Sequence, residues 1–378
     1  MFSNTVHLSG MAEQAPAWGA PAQPPPRQWR ARVLASLCST AFVAVALVGA
    51  ELVARWRVPD YLVKTRGFHV FSDRYGWASR KGVSMVNEGG RVSVNPNGHR
   101  GRELVVPRKA GHTRVIVLGD SIAFGLGVSD EETFTSLLDA RDNGIEAGNL
   151  AVMGYGPDQE LLVLLREGLR YQPDIVVLAF CLANDFAEAV LPVSLYDGQT
   201  PKPRFRLDED RLLLDDSSLR RSAFDRAHQW LSDYSQLFNL ISALRRRGAP
   251  APGRHWRHRY DEALRDEGHA LRLNLALVGW MDKVCRERGA ILIVAAFPDR
   301  FSYRVKPWLA ERFLESLVAA GIATVDMSAH FHAVGPRLKA VALDRTGHLS
   351  PVGHSVASEV LEGEIAARRP RGAARPPV

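Results

Sequence analysis

Val115-Ile116-Val117-Leu118-Gly119-Asp120-Ser121 is the stretch that decides the fold: an apolar run of strand length delivers a serine straight into a Gly-Asp-Ser turn. Ile122 to Gly127 follow, and a helix-like segment begins near Glu131. An α/β protein places a nucleophile at such a point, where the end of a buried strand meets helix amides carrying partial positive charge. Gly-Asp-Ser is also a common surface turn, so its meaning depends on what surrounds it.

Outward from this run, short apolar strands alternate with amphipathic helices. Strand-like runs cover 114–118, 145–150, 174–180, 290–297 and 322–326; helical patterns cover 131–141, 159–170, 270–288 and 308–320, with a last helix over 353–367. The alternation predicts a parallel sheet covered on both faces, a three-layer α/β/α sandwich. Ligands of such sheets bind outside the carboxyl ends of the strands, and Ser121 follows one of those ends. Between 191 and 268 the rhythm breaks. There 203–207 and 211–214 flank Asp208-Glu209-Asp210 as the arms of a hairpin would, and a helical stretch over 221–247 ends in three arginines before Gly248. This segment reads as an insertion, either a lid beside the site or plain decoration. No internal repeat is visible.

Three more polar blocks follow in order: Asn149-Leu150-Ala151-Val152-Met153-Gly154-Tyr155-Gly156 after the second strand, Leu182-Ala183-Asn184-Asp185 after the third, and Asp344-Arg345-Thr346-Gly347-His348-Leu349-Ser350-Pro351 before the last helix. With Gly119-Asp120-Ser121 they make a series that resembles the SGNH hydrolases, also called the GDSL esterases and lipases, over about Arg114 to Leu361. Asn97-Gly98-His99-Arg100-Gly101 and Gly154-Tyr155-Gly156-Pro157-Asp158-Gln159 resemble the membrane-anchored bacterial members. The resemblance implies a flavodoxin-like sandwich that works without a cofactor. It assigns the oxyanion donors to the backbone amides of Ser121 and Gly154 and the side-chain amide of Asn184. Two positions depart from the pattern. Asp344 stands four residues before His348 where the family more often has three, and Leu182 stands where the third block often has glycine.

The chemistry of the residues agrees with that assignment. A serine hydroxyl attacks poorly until a base takes its proton, and histidine suits the task near neutral pH. His348 is the candidate base, with Asp344 to orient and stabilise its imidazolium; if the carboxylate does not reach, Ser121 and His348 work as a dyad. An acyl-transfer intermediate carries an oxyanion that needs fixed donors. A glycine at 154 keeps a side chain away from that oxygen.

Blander readings apply elsewhere. Asn184-Asp185 alone is an ordinary strand-end turn. Asp120 ties down the turn before Ser121 by hydrogen bonds. His354 is a packing residue and the reserve candidate for the base, and Asp326 is structural. His255, His258, His330 and His332 lack convergent carboxylates, so no metal site is expected. Gly119 to Gly125 lacks the lysine of a phosphate loop, and Gly154 and Gly156 lack the third glycine of a dinucleotide fingerprint.

The chain has 378 residues, 46% of them hydrophobic, enough for a full-sized core. Its net charge of +7 is spread out and partly lies in Arg368, Arg369, Arg371 and Arg375, with no basic stripe interleaved with aromatics, so nucleic acid is not an expected partner. Cys38, Cys181 and Cys285 show no paired spacing. Val33 to Ala50 carries no charge and is continued by Glu51-Leu52-Val53-Ala54, close to the roughly 20 residues that cross a bilayer. Arg27, Arg30 and Arg32 precede it and favour a cytoplasmic N-terminus. The alternative is a cleaved signal peptide ending at Val48-Gly49-Ala50. The expected organisation is a disordered cytoplasmic tail (1–32), a signal anchor (33–54), an approach segment packed on the main domain (55–112), a hydrolase domain with the insertion 191–268 (113–367) and a disordered basic tail (368–378).

The expectation is therefore an envelope-anchored serine hydrolase, its catalytic domain facing the periplasm or cell exterior of a bacterium. It would act on acyl esters, acetyl among them, of small molecules or of exported or envelope polysaccharide. Two rivals share these residues: an acyltransferase that passes the acyl group to a sugar hydroxyl, and an inactive SGNH fold serving as a binding component of an envelope complex.

Overall fold

The computed structural model describes residues 27–57, 68–87, 89–106, 109–141, 143–209, 211–220, 222–245, 256–298, 307–333 and 347–369. Residues 1–26 and 370–378 of the expected tails, His255, Arg246-Arg247-Gly248, and Asp344-Arg345-Thr346 of the fourth block lie outside the described residues. The chain divides into two units, Met1–Arg57 and Val58–Val378.

The first unit contributes one helix, α1 (Arg27–Arg57). Within its Trp29–Arg57 portion an 18-residue window has a mean hydropathy of 2.2, and the helix is long and apolar enough to cross a membrane. At about 1.5 Å per residue it exceeds the roughly 30 Å of a hydrocarbon core.

The second unit opens with two antiparallel hairpins, β1 (His69–Ser72) with β2 (Gly76–Ser79) and β3 (Ser84–Asn87) with β4 (Gly90–Ser93). Then come β5 (Thr113–Gly119), the single-turn α2 (Ser121–Phe124), α3 (Phe134–Ala140), β6 (Ile145–Asn149), α4 (Pro157–Arg166), β7 (Ile175–Cys181) and α5 (Asp185–Val190). The insertion holds the hairpin β8 (Arg204–Asp208) and β9 (Arg211–Asp215), followed by α6 (Ala223–Tyr234), α7 (Gln236–Arg245) and α8 (Trp256–Ala263). The chain closes with α9 (Glu267–Glu287), β10 (Ile291–Phe297), α10 (Pro307–Ala319), β11 (Ala323–Asp326), α11 (Met327–Ala333) and α12 (Pro351–Arg368).

The central sheet runs β6-β5-β7-β10-β11 with every pairing parallel. Period-two alternation sends its side chains into two cores. Ile116, Leu118, Val176, Leu178, Phe180, Leu292 and Val294 meet α4, α5, α9 and α10 on one face. Val115, Val117, Val177, Ala179, Ile293, Ala295 and Phe297 meet α2, α3, α11 and α12 on the other. Each fully buried aliphatic side chain contributes about 1.5–3 kcal/mol, so both helical layers are held by the sheet's own apolar runs. This is the three-layer sandwich expected from the alternation of strands and helices. The winding direction reverses between β5 and β7, the crevice where such sheets bind ligands.

Two helices differ from their sequence pattern. The region 131–141 is a 3₁₀ turn (Asp130–Glu132) followed by α3, because extended Thr133 interrupts it and its hydroxyl accepts the Ser136 N–H. The stretch 221–247 is broken at Ser235, whose backbone is extended and whose hydroxyl accepts the Phe238 N–H, starting a new helix. The hairpin forms one residue further along than the pattern suggests, with Glu209 in the left-handed region at its tip.

Candidate active site

β5 ends at Gly119, and the backbone turns sharply there. A Cβ at 119 would stand 2.7 Å from the Ala123 Cβ and 3.1 Å from the Ala179 Cβ, so only glycine lets α2 start directly against β7. Asp120 caps α2: its Oδ1 accepts the Ile122 N–H at 2.8 Å. Ser121 is the first residue of that single turn, which ends at left-handed Gly125. The helix at the serine is thus one turn long, an element the sequence pattern did not mark.

Ser121 Oγ lies 2.8 Å from His348 Nε2, although 227 residues separate them. With the ring proton on Nδ1, the serine hydroxyl donates to Nε2. Ser121 and His348 form a serine–histidine pair. His348 is held by the start of α12, where Ser350 accepts the Gly353 N–H and Pro351 opens the helix. Asp344 lies outside the described residues.

Asn184 reaches the same place from the end of β7. It is buried, and its Nδ2 donates to Asp120 Oδ2 at 3.1 Å. Burial raises the Asp120 carboxyl to about 6, opposed by hydrogen bonds from Ile122 and Asn184. Asp120 therefore links the turn before Ser121 to Asn184, a connection that reading it as a local turn residue did not include. Gly154 sits in the turn after β6, tied to β5 by the Val152 N–H donating to the Gly119 carbonyl at 3.1 Å. Its φ is +77°, and a Cβ there would meet Trp77 and Tyr196 only at ordinary contact distance. The conformation is the structural demand for glycine here. Leu182, at the position that departs from the family pattern, is buried in the core beneath the third block and donates its N–H to the Phe297 carbonyl.

Several supporting residues carried no sequence signal of their role. The buried Arg100 guanidinium donates to the carbonyls of Phe124, Gly125 and Val128 and to Asp130 Oδ1, clamping the loop that leaves α2. Asn149 Nδ2 donates to the Ala123 carbonyl at 2.8 Å, joining β6 to the same turn. Arg100 was visible as part of a motif and Asn149 as the start of a block, but their partners lie far away in sequence. Behind the second and third blocks, Asp158, Glu160, Asp185 and Glu188 are fully buried with Lys202, whose Nζ donates to Asp158. Burial pushes Glu188 up to about 8 and also raises Glu160, Asp185 and Asp158, the last opposed by the Lys202 ammonium that pairs with it.

His354 is not placed to act as a base. It is buried, stacks on Phe134, and its Nδ1 accepts the Phe134 N–H at 3.2 Å. Burial lowers its pKa to about 3, which keeps it neutral. His330 and His332 are exposed on α11, and His258 stands 3.9 Å from Glu262 on an exposed face of α8. Among the described residues no three His, Cys, Asp or Glu side chains are grouped as metal ligands would be.

No family model matches the chain, and neither does any curated protein. Solved structures do show similarity. A lipolytic protein of the G-D-S-L family from Desulfitobacterium hafniense is 13% identical, covering 67% of this chain and 99% of its own, with a TM-score of 0.40. The esterase EstA from Pseudoalteromonas sp. is 14% identical, covering 68% and 97%, with a TM-score of 0.38. An acetylxylan esterase from Geobacillus stearothermophilus is 15% identical, covering 68% and 96%, with a TM-score of 0.39. At such scores these likenesses add nothing to the strand order and site geometry of the chain itself.

Proposed function

We propose that this chain is a serine ester hydrolase of the SGNH type. The observation that carries the reading is the 2.8 Å contact between Ser121 Oγ and His348 Nε2 at the switch point of the sheet. In the first half-reaction His348 takes the hydroxyl proton while Ser121 Oγ bonds to the acyl carbon. The intermediate collapses by breaking the bond to the alcohol oxygen, which receives that proton from His348. Water then repeats the sequence on the acyl-serine, releasing the acid and restoring the serine. The N–H groups of Ser121 and Gly154 and the Nδ2 of Asn184 serve as oxyanion donors, each worth about 3–4 kcal/mol of barrier. By the family resemblance, Asp344 is assigned the role of orienting the imidazole; without it Ser121 and His348 act as a dyad.

The apolar length of α1 supports a membrane-anchored enzyme with its hydrolase domain outside the cytoplasm, acting on acyl, including acetyl, esters of envelope or exported carbohydrate. If a sugar hydroxyl replaces water in the second half-reaction, the same residues perform acyl transfer. The partition between free acid and acylated sugar in the presence of an acceptor separates the two. The Ser121–His348 contact favours an active enzyme over a binding component, which has no use for it.

The test is intact-protein mass after fluorophosphonate treatment of the detergent-solubilised full chain. One adduct is expected on the parent protein and none on Ser121→Ala. An unmodified parent protein that is demonstrably folded would refute the reading.

A further inference from the structure

Two aromatic rings from outside the four motif blocks converge on Gly154. A Cβ built there would stand 3.6 Å from Trp77 Cζ2 and 3.8 Å from Tyr196 Cδ2, van der Waals contact with both. Trp77, on β2, is fixed: its Nε1 donates to the Met153 carbonyl at 3.0 Å and its ring packs edge-on against Tyr155. It is only 6% exposed. Tyr196 lies on the loop 192–202 at the start of the insertion and is 45% exposed.

A single exposed aromatic is ordinary. The bracing of this one is not. Arg259, on α8, donates from Nε to the Leu195 carbonyl and from Nη2 to the Tyr196 carbonyl, each at 2.7 Å. Asp197 Oδ1 accepts the N–H groups of Gln199 and Thr200, and the Lys202 N–H donates to the Pro192 carbonyl, closing the loop on itself. Lys202 then anchors the loop in the core through its fully buried pair with Asp158. A loop held from three directions presents a rigid ring at little entropic cost to a ligand.

We propose that Trp77 and Tyr196 form the wall of a sugar-binding subsite beside the reacting carbonyl, with Tyr196 the residue that sets preference for glycosyl esters. This rests on the ester-hydrolase reading. A pyranose has an apolar C–H face and a hydroxyl rim. A half-exposed ring covers the first and leaves the second in water, beside the exposed polar side chains of Asp197 and Gln199. A long acyl chain gains most from full burial, which the half-exposed Tyr196 ring does not provide.

The test compares glucose pentaacetate with ethyl acetate, an acetyl ester that carries no ring, using the solubilised full chain. The measured quantity is the ratio of the two kcat/KM values. In Tyr196→Ala this preference falls about tenfold, as loss of a stacking contact would cause, with the loss in KM for the sugar ester. Tyr196→Phe keeps the parent preference. Leu213→Ala, which removes an equally exposed side chain from β9, leaves it unchanged. A preference untouched in Tyr196→Ala, or one that falls equally in Leu213→Ala, overturns the subsite while fluorophosphonate labelling of Ser121 keeps the hydrolase reading. No labelling of the parent protein takes both readings down together.

Discussion

At the residue scale, Asp120 and Asn184 behave as one unit. The Asp120 carboxylate holds Asn184 Nδ2 and the Ile122 N–H at once, so it positions a proposed oxyanion donor and the turn that carries Ser121 together. Asn184→Ala is expected to lower kcat about 10²–10³-fold with little change in KM, the mark of an interaction made mainly in the transition state. Asp120→Ala should produce a loss of the same kind, because it frees the Asn184 amide. The double variant should cost little more than either single one. Fully additive losses in that cycle would show that Asp120 does not act through Asn184. The pairing was legible only in part: both residues stand out in sequence, but their contact depends on β5 and β7 being neighbours in the sheet.

At the scale of elements, α2 depends on a residue from the segment before the sheet. A single turn cannot hold itself, since nearly all its carbonyls are terminal. Arg100 supplies the missing donors to Phe124, Gly125 and Val128 while pairing with Asp130 at 2.9 Å. Arg100→Met should destabilise the fold by about 3–5 kcal/mol, as loss of one partner from a buried ion pair does, read as the denaturant midpoint. Fluorophosphonate labelling of whatever remains folded should slow, because Ser121 begins the turn that Arg100 secures. Unchanged stability would mean that water replaces the guanidinium without cost. The sequence pattern placed the strands well, because two-sided apolar runs are a strong signal. It joined α6 and α7 into one helix, because a serine inside a helical pattern does not reveal that its hydroxyl will cap a new one.

At the scale of the whole molecule, the two helical layers give opposite responses to pH. Behind the second and third blocks, burial raises Glu188 from 4.5 to about 8. The native state therefore keeps a proton there that the unfolded chain has released, and this stability, full below pH 4.5, is lost as pH rises towards 8. Glu160 and Asp185 act in the same direction. His354, on α12 and packed against α3, falls from 6.5 to about 3, and His69 on β1 to about 4. The unfolded chain binds protons at these histidines first, so their contribution, full above pH 6.5, is lost as pH drops towards 3. Thermal midpoints should peak between the two ordinary values, 4.5 for Glu188 and 6.5 for His354, and decline on both sides. Glu188→Gln should flatten the alkaline decline while leaving the acid one, and an identical alkaline slope in that variant would count against the buried cluster as its source.

The sequence by itself determined what short-range physics encodes. Apolar runs at strand length and periodic helices specified a doubly covered parallel sheet, and the Gly-Asp-Ser turn at a strand's end marked the proposed nucleophile. Strand order was another matter. Placing β7 beside β5 and α12 across from α2 is a consequence of packing both sheet faces at once, and that packing brought His348 to Ser121 and Asn184 to Asp120. The insertion shows the limit most clearly: Tyr196 has no periodicity to announce it, and only a braced loop and a buried lysine carry its ring to Gly154.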